Sequence, residues 1–233
     1  MRQEQLQDMS LIHFLMTSSQ QLKPCAYIKK WLISNNIYMI NLIPDINEHY
    51  HTFQKQDNWE QSELRFLKKM ENDVRGRFGE LLISRWLHKI PNCIIEQDVS
   101  DNSKHDDGHY DLKACGQRIE VKTSCLSTNC WQHEPLYKED ACDIVFFLDF
   151  SYDNMCYFSI VRSIDLPLGR DSDIMPGKHG TLRKNKDDGY KLDFSFKTLS
   201  DLAKVNKMLS FNVSSVDEEQ VLGFITQELM NNV

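Results

Sequence analysis

The sequence lacks a hydrophobic run of the length that a membrane-spanning helix needs. Its longest apolar stretch is residues 143–150 (DIVFFLDF), far short of the ~20 residues that cross a bilayer. The first ten residues, MRQEQLQDMS, also lack the basic start and apolar segment of a secretory signal peptide. We therefore expect an intracellular, cytoplasmic protein.

The cysteines lack the spacing of a disulfide framework or of a zinc ribbon. There are 7 of them, an odd number, and no two form a Cys-x-x-Cys pair. The histidines near the middle of the chain add no pair with the ligand spacing of a structural zinc site. A reducing compartment is the simplest interpretation.

Glycine, proline and positive charge are also in short supply. With 9 Gly, 6 Pro and 41% hydrophobic residues the chain has a globular composition. The net charge of -7 argues against a protein that coats nucleic acid, because neutralising phosphates requires clustered Lys and Arg. An enzyme that acts on nucleic acid stays possible, since a site for divalent cations concentrates carboxylates whose charge the metal offsets.

The patterns divide the chain into a helical N-terminal region, residues 1–57, and a main domain, residues 58–233. Short helical segments are predicted before residue 44, and the polar stretch 44–58 predicts a loop or linker. The main domain begins with the strongest helical pattern, predicted as one long helix over residues 59–89. Its apolar stripe consists of Leu64, Leu67, Met70, Val74, Phe78, Leu81, Leu82 and Trp86.

Strand patterns follow this helix. A tight turn at Cys115-Gly116 joins two of the predicted strands into a hairpin. The predicted strands are residues 93–99, 110–114, 117–124, 144–150 and 156–161. Residues 131–140 predict a loop or helical passage, and the basic stretch 176–191 an exposed loop or irregular hairpin. Residues 214–230 predict a closing helix, capped by Ser215 with Glu218.

The hairpin carries the residues with the clearest chemistry. Asp111 lies in its first strand, and Glu120 and Lys122 share one face of the second because strand side chains alternate, while Val121 faces the core. Two carboxylates beside an ammonium suit Mg²⁺ or Mn²⁺, which prefer a few carboxylates and keep waters for the substrate. Lys122 is placed to orient or help deprotonate an attacking water and to offset charge in the transition state.

This arrangement resembles the signature of the PD-(D/E)xK nuclease superfamily, an Asp ahead of a strand that bears Glu/Asp-x-Lys. Here Asp111 precedes Glu120-Val121-Lys122, although Tyr110 stands where the Pro of the motif would be. A preceding helix often adds a Glu in that superfamily, and Glu80 in the segment RFGELL is similar. The resemblance covers about residues 70–162.

The resemblance implies a restriction-endonuclease-like α/β core, with a mixed central sheet of four to five strands flanked by helices. It implies a Mg²⁺-dependent endonuclease, with Mn²⁺ as a substitute, that hydrolyses double-stranded DNA to 5′-phosphate and 3′-hydroxyl ends. The implied catalytic residues are Asp111, Glu120, Lys122 and Glu80, and the implied metal ligands are Asp111, Glu120 and Val121. A stand-alone chain of this size looks most like a type II restriction endonuclease, which would act as a homodimer on palindromic DNA.

Other interpretations stay open. Glu80 also fits an ordinary surface residue at the flank of an amphipathic helix, and Asp106 or Asp107 would then supply the extra carboxylate. A structure-specific or repair nuclease, including one that resolves junctions, is the alternative within enzymes. A catalytically silent nucleic-acid-binding module is the alternative outside them.

Contacts with DNA are expected from the basic stretch and from two further positions. The candidates are Lys178, Arg183, Lys184, Lys186, Gln132 and Arg77. Arg75 and Arg85, on the predicted helix, are the alternative source of positive charge. Gln132 follows the signature at a distance where some branches of the superfamily carry a residue that positions the phosphate. The competing interpretation of that segment is that Trp131 anchors a loop to the core.

Overall fold

The computed structural model describes residues 58–99, 110–138, 141–182 and 189–230. They belong to one unit that begins at Asn58. The helical region predicted for residues 1–57 lies outside the described residues, and so do the two loop aspartates and part of the basic stretch. The loop aspartates are Asp106 and Asp107, and the residues of the basic stretch are Arg183, Lys184 and Lys186. In the described ranges, no helix combines the length and the apolar character that crossing a membrane requires.

The apolar stripe of residues 59–89 forms two helices, so the prediction of a single helix is wrong. Their bounds are Arg65–Lys69 for α1 and Asn72–Leu87 for α2. Between them Met70 and Glu71 adopt extended backbone, with ψ of 143° and 152°. Leu64 and Leu67 are buried despite the break, with 1% and 0% exposure. Packing of these side chains outweighs the local propensity to continue the helix.

A mixed sheet of six strands forms the centre of the fold. Its strands are β1 (Ile95–Gln97), β2 (Leu112–Ala114), β3 (Gln117–Cys125), β5 (Ile144–Phe150), β6 (Met155–Arg162) and β9 (Met208–Asn212). They lie side by side in that order, and every neighbouring pair is antiparallel except β3 with β5. The predicted mixed sheet is confirmed, but four to five strands was too few, because the half-buried edge strand β9 was not foreseen.

A second sheet of three strands contains the segment that was predicted as a loop or helical passage. Its strands are β4 (Trp131–Leu136), β7 (Thr181–Leu182) and β8 (Tyr190–Phe194), in the order β4-β8-β7. In β4, Trp131 and His133 are buried while Gln132 and Glu134 are exposed, which is ordinary strand alternation. The alternation was not recognised in the sequence because histidine is a polar residue, and a polar residue is not expected at a buried position of a strand. For residues 176–191 the prediction was an exposed loop or an irregular hairpin, and the antiparallel pairing of β7 with β8 agrees with the second, although residues 183–188 lie outside the described residues.

Helix α2 covers one face of the central sheet, and the second sheet covers the other. On the helix side, the ring of Phe78 lies 6.3 Å from that of Phe150, and Trp86 lies 5.6 Å from Phe158. On the opposite side, Phe147 meets Phe194 of β8 with ring centroids 4.7 Å apart. All seven residues of β5 are buried, because this strand is covered on both faces.

Two further helices follow β8. They are α3 (Phe196–Lys204) and α4 (Glu218–Met230), and α4 confirms the predicted closing helix. Its cap differs from the prediction. The Asp217 side chain accepts hydrogen bonds from the main-chain N–H groups of Glu219 and Gln220, at 3.1 and 3.3 Å. Ser215 belongs to a preceding 3₁₀ turn instead, so Asp217 starts the helix.

Gly79 is the point where α2 approaches β3 most closely. A Cβ atom there would lie 1.8 Å from Thr123 Oγ1 and 3.2 Å from Leu148 Cδ1. Only glycine allows the helix backbone to come this close to the sheet. The contact therefore sets the height of α2 above β3, and with it the position of the next residue, Glu80.

We expect Gly79→Ala to lower the free energy of unfolding by about 1–3 kcal/mol, because the added methyl group overpacks the contact with Thr123. Urea denaturation of the purified chain measures this. Gly76→Ala is the matched control on the same helix, since a Cβ at Gly76 meets nothing within 4 Å. It should be neutral or stabilise by up to ~1 kcal/mol. Equal effects of the two substitutions would contradict the assigned contact.

Candidate active site

A cleft of about 520 Å³ runs between α2 and the edge of β3 that β2 leaves uncovered. The residues that the sequence singled out come from three different elements and all line this cleft. They are Glu80 from α2, Asp111 just before β2, and Glu120, Val121 and Lys122 from β3. The tertiary structure thus brings the predicted catalytic and metal-binding residues together.

Asp111 lies where the pairing of β2 with β3 stops. Its main-chain N–H donates to Ile119 O at 2.9 Å, the last main-chain hydrogen bond of the hairpin on this side. Beyond this point the Asp111 side chain takes the place of a main-chain acceptor, because its Oδ2 accepts a hydrogen bond of 2.8 Å from the Val121 N–H. The other oxygen, Oδ1, receives no hydrogen bond from the described residues. The carboxylate is therefore fixed by the main chain while one oxygen can serve a ligand.

Val121 contributes its main chain to the cleft. Its side chain is buried, with 4% exposure, as predicted. The N–H and C=O groups of a strand residue point to the same side of the strand. Because the Val121 N–H meets Asp111, its carbonyl oxygen faces the same uncovered edge. The Val121 carbonyl oxygen therefore points toward Asp111, where it could bind the same cation as the Asp111 carboxylate.

Glu120 and Lys122 share one face of β3, as the strand alternation predicts. Lys122 Nζ forms an ion pair with Glu120 Oε1, and both side chains are largely enclosed, with 15% and 11% exposure. Gln132 faces the same cleft from β4, where its main-chain N–H donates to Ser124 Oγ at 3.2 Å. These contacts align the polar face of β3 along the cleft.

Glu80 reaches the cleft from the other wall. Its Oε2 lies 2.8 Å from Arg77 Nη1, an ion pair between residues one helical turn apart. Glu80 is half-buried, and its negative charge acts on Asp111. The predicted DNA contact Arg77 is thus held by Glu80, and it also donates to the Val99 carbonyl oxygen. Arg77 therefore stabilises the position of Glu80.

The carboxylates repel one another. Burial raises the pKa of Asp111 well above its ordinary value, and the nearby charges of Glu120 and Glu80 raise it further. For Lys122, burial by itself lowers the pKa, but the carboxylates of Glu120 and Asp111 outweigh it, so the pKa is raised. Lys122 therefore keeps its proton at neutral pH. A cation among the three carboxylates would relieve their repulsion.

The oxygen donors at the cleft are of the type that Mg²⁺ uses. Among the described residues, no three His, Cys, Asp or Glu side chains stand together in metal-holding geometry, since Glu120 and Glu80 turn toward their basic partners. Mg²⁺ commonly takes only one or two protein carboxylates and completes its shell with waters and substrate phosphates. Asp111, Glu120 and the Val121 carbonyl meet that requirement.

The other predicted contacts are dispersed. Lys178 Nζ donates to the Asp193 carbonyl at 3.0 Å and is thereby tied to β8. The exposed Gln132 lines the cleft, whereas the next residue, His133, is enclosed. His133 Nε2 lies 3.2 Å from Asp149 Oδ1, although the two are not aligned as a hydrogen bond. Trp131 is an anchor, since it is fully buried and its Nε1 donates to Phe150 O at 2.7 Å.

Sequence reasoning missed Lys68 and gave Arg75 only as an alternative. Both line the cleft at its other end, beside the last residues of β3. Lys68 Nζ donates to Leu126 O at 3.1 Å and lies 5.7 Å from the centre of the Trp59 ring. Arg75 donates to Leu67 O at 3.4 Å. No local pattern points to this pair, because Lys68 is in α1, Arg75 is in α2, and extended backbone separates the two helices.

The distance between the two ends of the cleft follows from strand geometry. Cys125, at the end of β3, is five residues beyond Glu120, or about 16 Å at ~3.3 Å per residue. Burial raises the pKa of the Cys125 thiol to about 11, and the nearby charges of Arg75 and Lys68 oppose that rise. The cleft therefore has an acidic end and a basic end.

The sequence matches no protein-family model and no curated protein. What the chain does must therefore be argued from the residues of the cleft.

We expect Asp111→Asn to increase the free energy of unfolding in metal-free buffer at mildly alkaline pH. The amide removes a buried charge that Glu120 and Glu80 repel, yet its oxygen still accepts from the Val121 N–H. Because the folded pKa of Asp111 lies above its unfolded value, this carboxyl binds more proton in the folded than in the unfolded state. The contribution of Asp111 to stability must then fall as pH rises above ~3.9, the ordinary Asp value.

Urea denaturation of the two proteins over a pH series measures this difference, which should shrink at acidic pH. Asp143→Asn is the control of opposite sign. Burial raises the pKa of Asp143, but hydrogen bonds from the side chain and main chain of Arg118 outweigh it, and the pKa is lowered. That substitution should destabilise. Equal destabilisation by both substitutions would refute the repulsion assigned to Asp111.

Proposed function

We propose that the protein is a metal-dependent endonuclease that hydrolyses phosphodiester bonds in double-stranded DNA. The observation that carries this proposal is the convergence of Asp111, Glu120 and Glu80 with a protonated Lys122 in one open cleft. Repelling carboxylates beside a lysine are the donor set for a divalent cation and a phosphate group. The resemblance of Asp111 and Glu120-Val121-Lys122 to the PD-(D/E)xK signature supports the same reaction.

Mg²⁺, with Mn²⁺ as a substitute, is the cation that this donor set would hold. Bound there, it would polarise the scissile phosphate and provide an activated water. Asp111 presents Oδ1 while the Val121 N–H holds its other oxygen, so this ligand needs little reorganisation. Glu120 supplies a second carboxylate, and Glu80 adds negative charge from the helix. The protein's own part is to fix these oxygens before the substrate arrives.

Lys122 acts as a hydrogen-bond donor. In the metal-free protein the neighbouring carboxylates raise the pKa of Lys122, so Nζ holds its proton. An ammonium at this place orients the attacking water and offsets charge that builds on the phosphate oxygens. Of the two roles predicted for Lys122, the electrostatics favour this one.

The basic end of the cleft provides a place for a second phosphate of the same strand. Lys68 and Arg75 lie near Cys125, which is about 16 Å along β3 from Glu120, so a bound backbone would span several nucleotides between the two ends. The net charge of -7 does not oppose this, since the cations needed are local. Phosphate contacts of this kind position the DNA but read no sequence.

Cleavage of palindromic sites by a homodimer, as in a type II restriction endonuclease, is the finer part of this proposal. It is supported by the resemblance and by the rule that two-fold DNA symmetry calls for two-fold protein symmetry. Digestion of plasmid DNA in Mg²⁺ tests it. Discrete bands agree with restriction, preference for branched DNA would indicate junction resolution, and binding without cutting would indicate a silent module.

We expect Asp111→Asn, Glu120→Gln and Lys122→Ala each to reduce plasmid cleavage in Mg²⁺ by about 100-fold or more. Glu80→Gln should have a smaller effect, because Glu80 acts through its charge on Asp111. Mn²⁺ should support cleavage, whereas Ca²⁺ should support binding with little cutting, since it accepts the same oxygens in looser geometry. Initial rates of supercoiled-plasmid nicking are the measurement.

Lys113→Ala is the matched control for Lys122→Ala. Lys113 lies on the same hairpin, but it is paired with Glu96 at 3.9 Å and does not line the cleft. It should leave the rate within about twofold, as is usual for a surface change. Full activity in excess chelator, or wild-type rates for two of the three site variants, would show that the cleft is not the active site.

We expect the double variant Lys68→Gln/Arg75→Gln to weaken DNA binding about equally for all sequences. The slope of log K against log salt concentration should become shallower by roughly 0.9 for each lost phosphate contact. Equilibrium binding to short duplexes in Ca²⁺ at several salt concentrations measures both quantities without cleavage.

Arg85→Gln is the control, because Arg85 is an exposed cation on the same helix that does not line the cleft. Its binding and its salt slope should match those of the wild type. An unchanged slope in the double variant would place the phosphate contacts elsewhere, with Lys178 and the rest of the basic stretch as the next candidates.

A further inference from the structure

We propose that Cys93 and Cys115 are a site of reversible oxidation, at which the two thiols join in an intramolecular disulfide. Cys93 precedes β1, and Cys115 forms the turn between β2 and β3. Their sulfur atoms lie 2.8 Å apart although the residues are 22 positions apart in sequence. Both side chains are partly exposed, so a small oxidant can reach them. The proposal does not depend on the proposed nuclease activity.

The main chain holds the two cysteines in place for this bond. The Cys115 N–H donates to Ile94 O at 2.7 Å, and the Gly116 N–H donates to Glu96 Oε1 at 2.8 Å. These contacts tie the turn to the segment that follows Cys93. Reaching the ~2.05 Å length of a disulfide needs an approach of only about 0.8 Å from the present separation.

The residue at the turn is itself unusual. Cys115 has φ of 52° and Gly116 has φ of 76°, the left-handed pair that a two-residue hairpin turn requires. Asn, Asp and Gly are the residues that favour the first of these positions, because other side chains are strained there. A cysteine brings no advantage to this backbone. Its thiol, facing Cys93, supplies a reason for its presence.

The other four cysteines in the described part of the chain do not share this arrangement. Cys125, Cys142 and Cys156 are buried, and Cys130 is partly exposed. Among the described residues, no second pair of thiols makes a hydrogen-bonded contact. Oxidation should therefore join Cys93 to Cys115 in preference to other cysteines, because their sulfur atoms are already close together.

A low-molecular-weight disulfide such as oxidised glutathione is the oxidant that the reaction needs. One cysteine thiolate attacks a glutathione sulfur, forms a mixed disulfide and releases one glutathione thiolate. The second cysteine then attacks the mixed disulfide and releases the other. Two cysteine thiols each lose a proton and one electron, and oxidised glutathione becomes two glutathione thiols.

Each attack requires a thiolate. Burial raises the pKa of Cys93 to about 12, and the neighbouring Cys115 contributes to the rise, so disulfide formation should be faster at alkaline pH. Either cysteine can make the first attack, and the other then resolves the mixed disulfide. The bond would tether the turn of the hairpin that carries Asp111 and Glu120.

The test treats the purified full chain with oxidised glutathione, without metal or DNA, and analyses it by intact mass, alkylation and peptide mapping. We expect the loss of two hydrogens, a peptide pair joined through Cys93 and Cys115, and reversal by reductant. The thermal midpoint should rise by several degrees, because the bond closes a loop of about 20 residues in the unfolded chain.

Single variants test whether both cysteines are needed. In Cys93→Ser and in Cys115→Ser, the internal cross-link should be absent and the thermal midpoint should not shift on oxidation, whether or not the remaining cysteine retains glutathione. Cys130→Ser should behave like the wild type. The proposal is overturned if Cys93 and Cys115 remain open to alkylation after oxidation, or if other cysteines cross-link equally well. No cleavage is measured, so failure here leaves the proposed function untouched.

Discussion

The hydrogen bond from the Val121 N–H to Asp111 Oδ2 is the contact on which the site depends. It stands where the main-chain ladder between β2 and β3 ends. A strand that loses its neighbour leaves a polar N–H without a partner, which costs about 1–3 kcal/mol when buried. The Asp111 side chain removes that penalty because it accepts the hydrogen bond. No further strand is then needed on this side, and the edge of β3 stays open. The end of the hairpin and the opening of the cleft thus have one cause.

The cleft is electrostatically unfavourable, and the layers around it compensate. Three carboxylates share a small volume with Lys122, and burial makes their charges harder to accommodate. The sheet beneath them is packed on both faces, with every residue of β5 buried between α2 and the second sheet. A rigid base of this kind holds repelling groups at fixed distances, as the proposed binding of a cation and a phosphate requires.

Local patterns predicted the elements whose structure depends on their near neighbours. The alternation in β3 places Glu120 and Lys122 on one face, and the Cys115-Gly116 pair predicts the tight turn, because both follow from strand and turn geometry alone. The apolar run of β5 was equally clear, since a strand covered on both faces carries no polar alternation. These features required no knowledge of distant contacts.

The sequence by itself thus determined the hairpin and the order of the site residues along it. Tertiary structure decided the rest. Only the close approach at Gly79 brings Glu80 to Asp111, and only the end of β3 brings Lys68 to the cleft. The strand β4 escaped prediction because its buried His133 takes its environment from the aromatic rings of other strands. Such positions depend on contacts far apart in sequence, which no local pattern encodes.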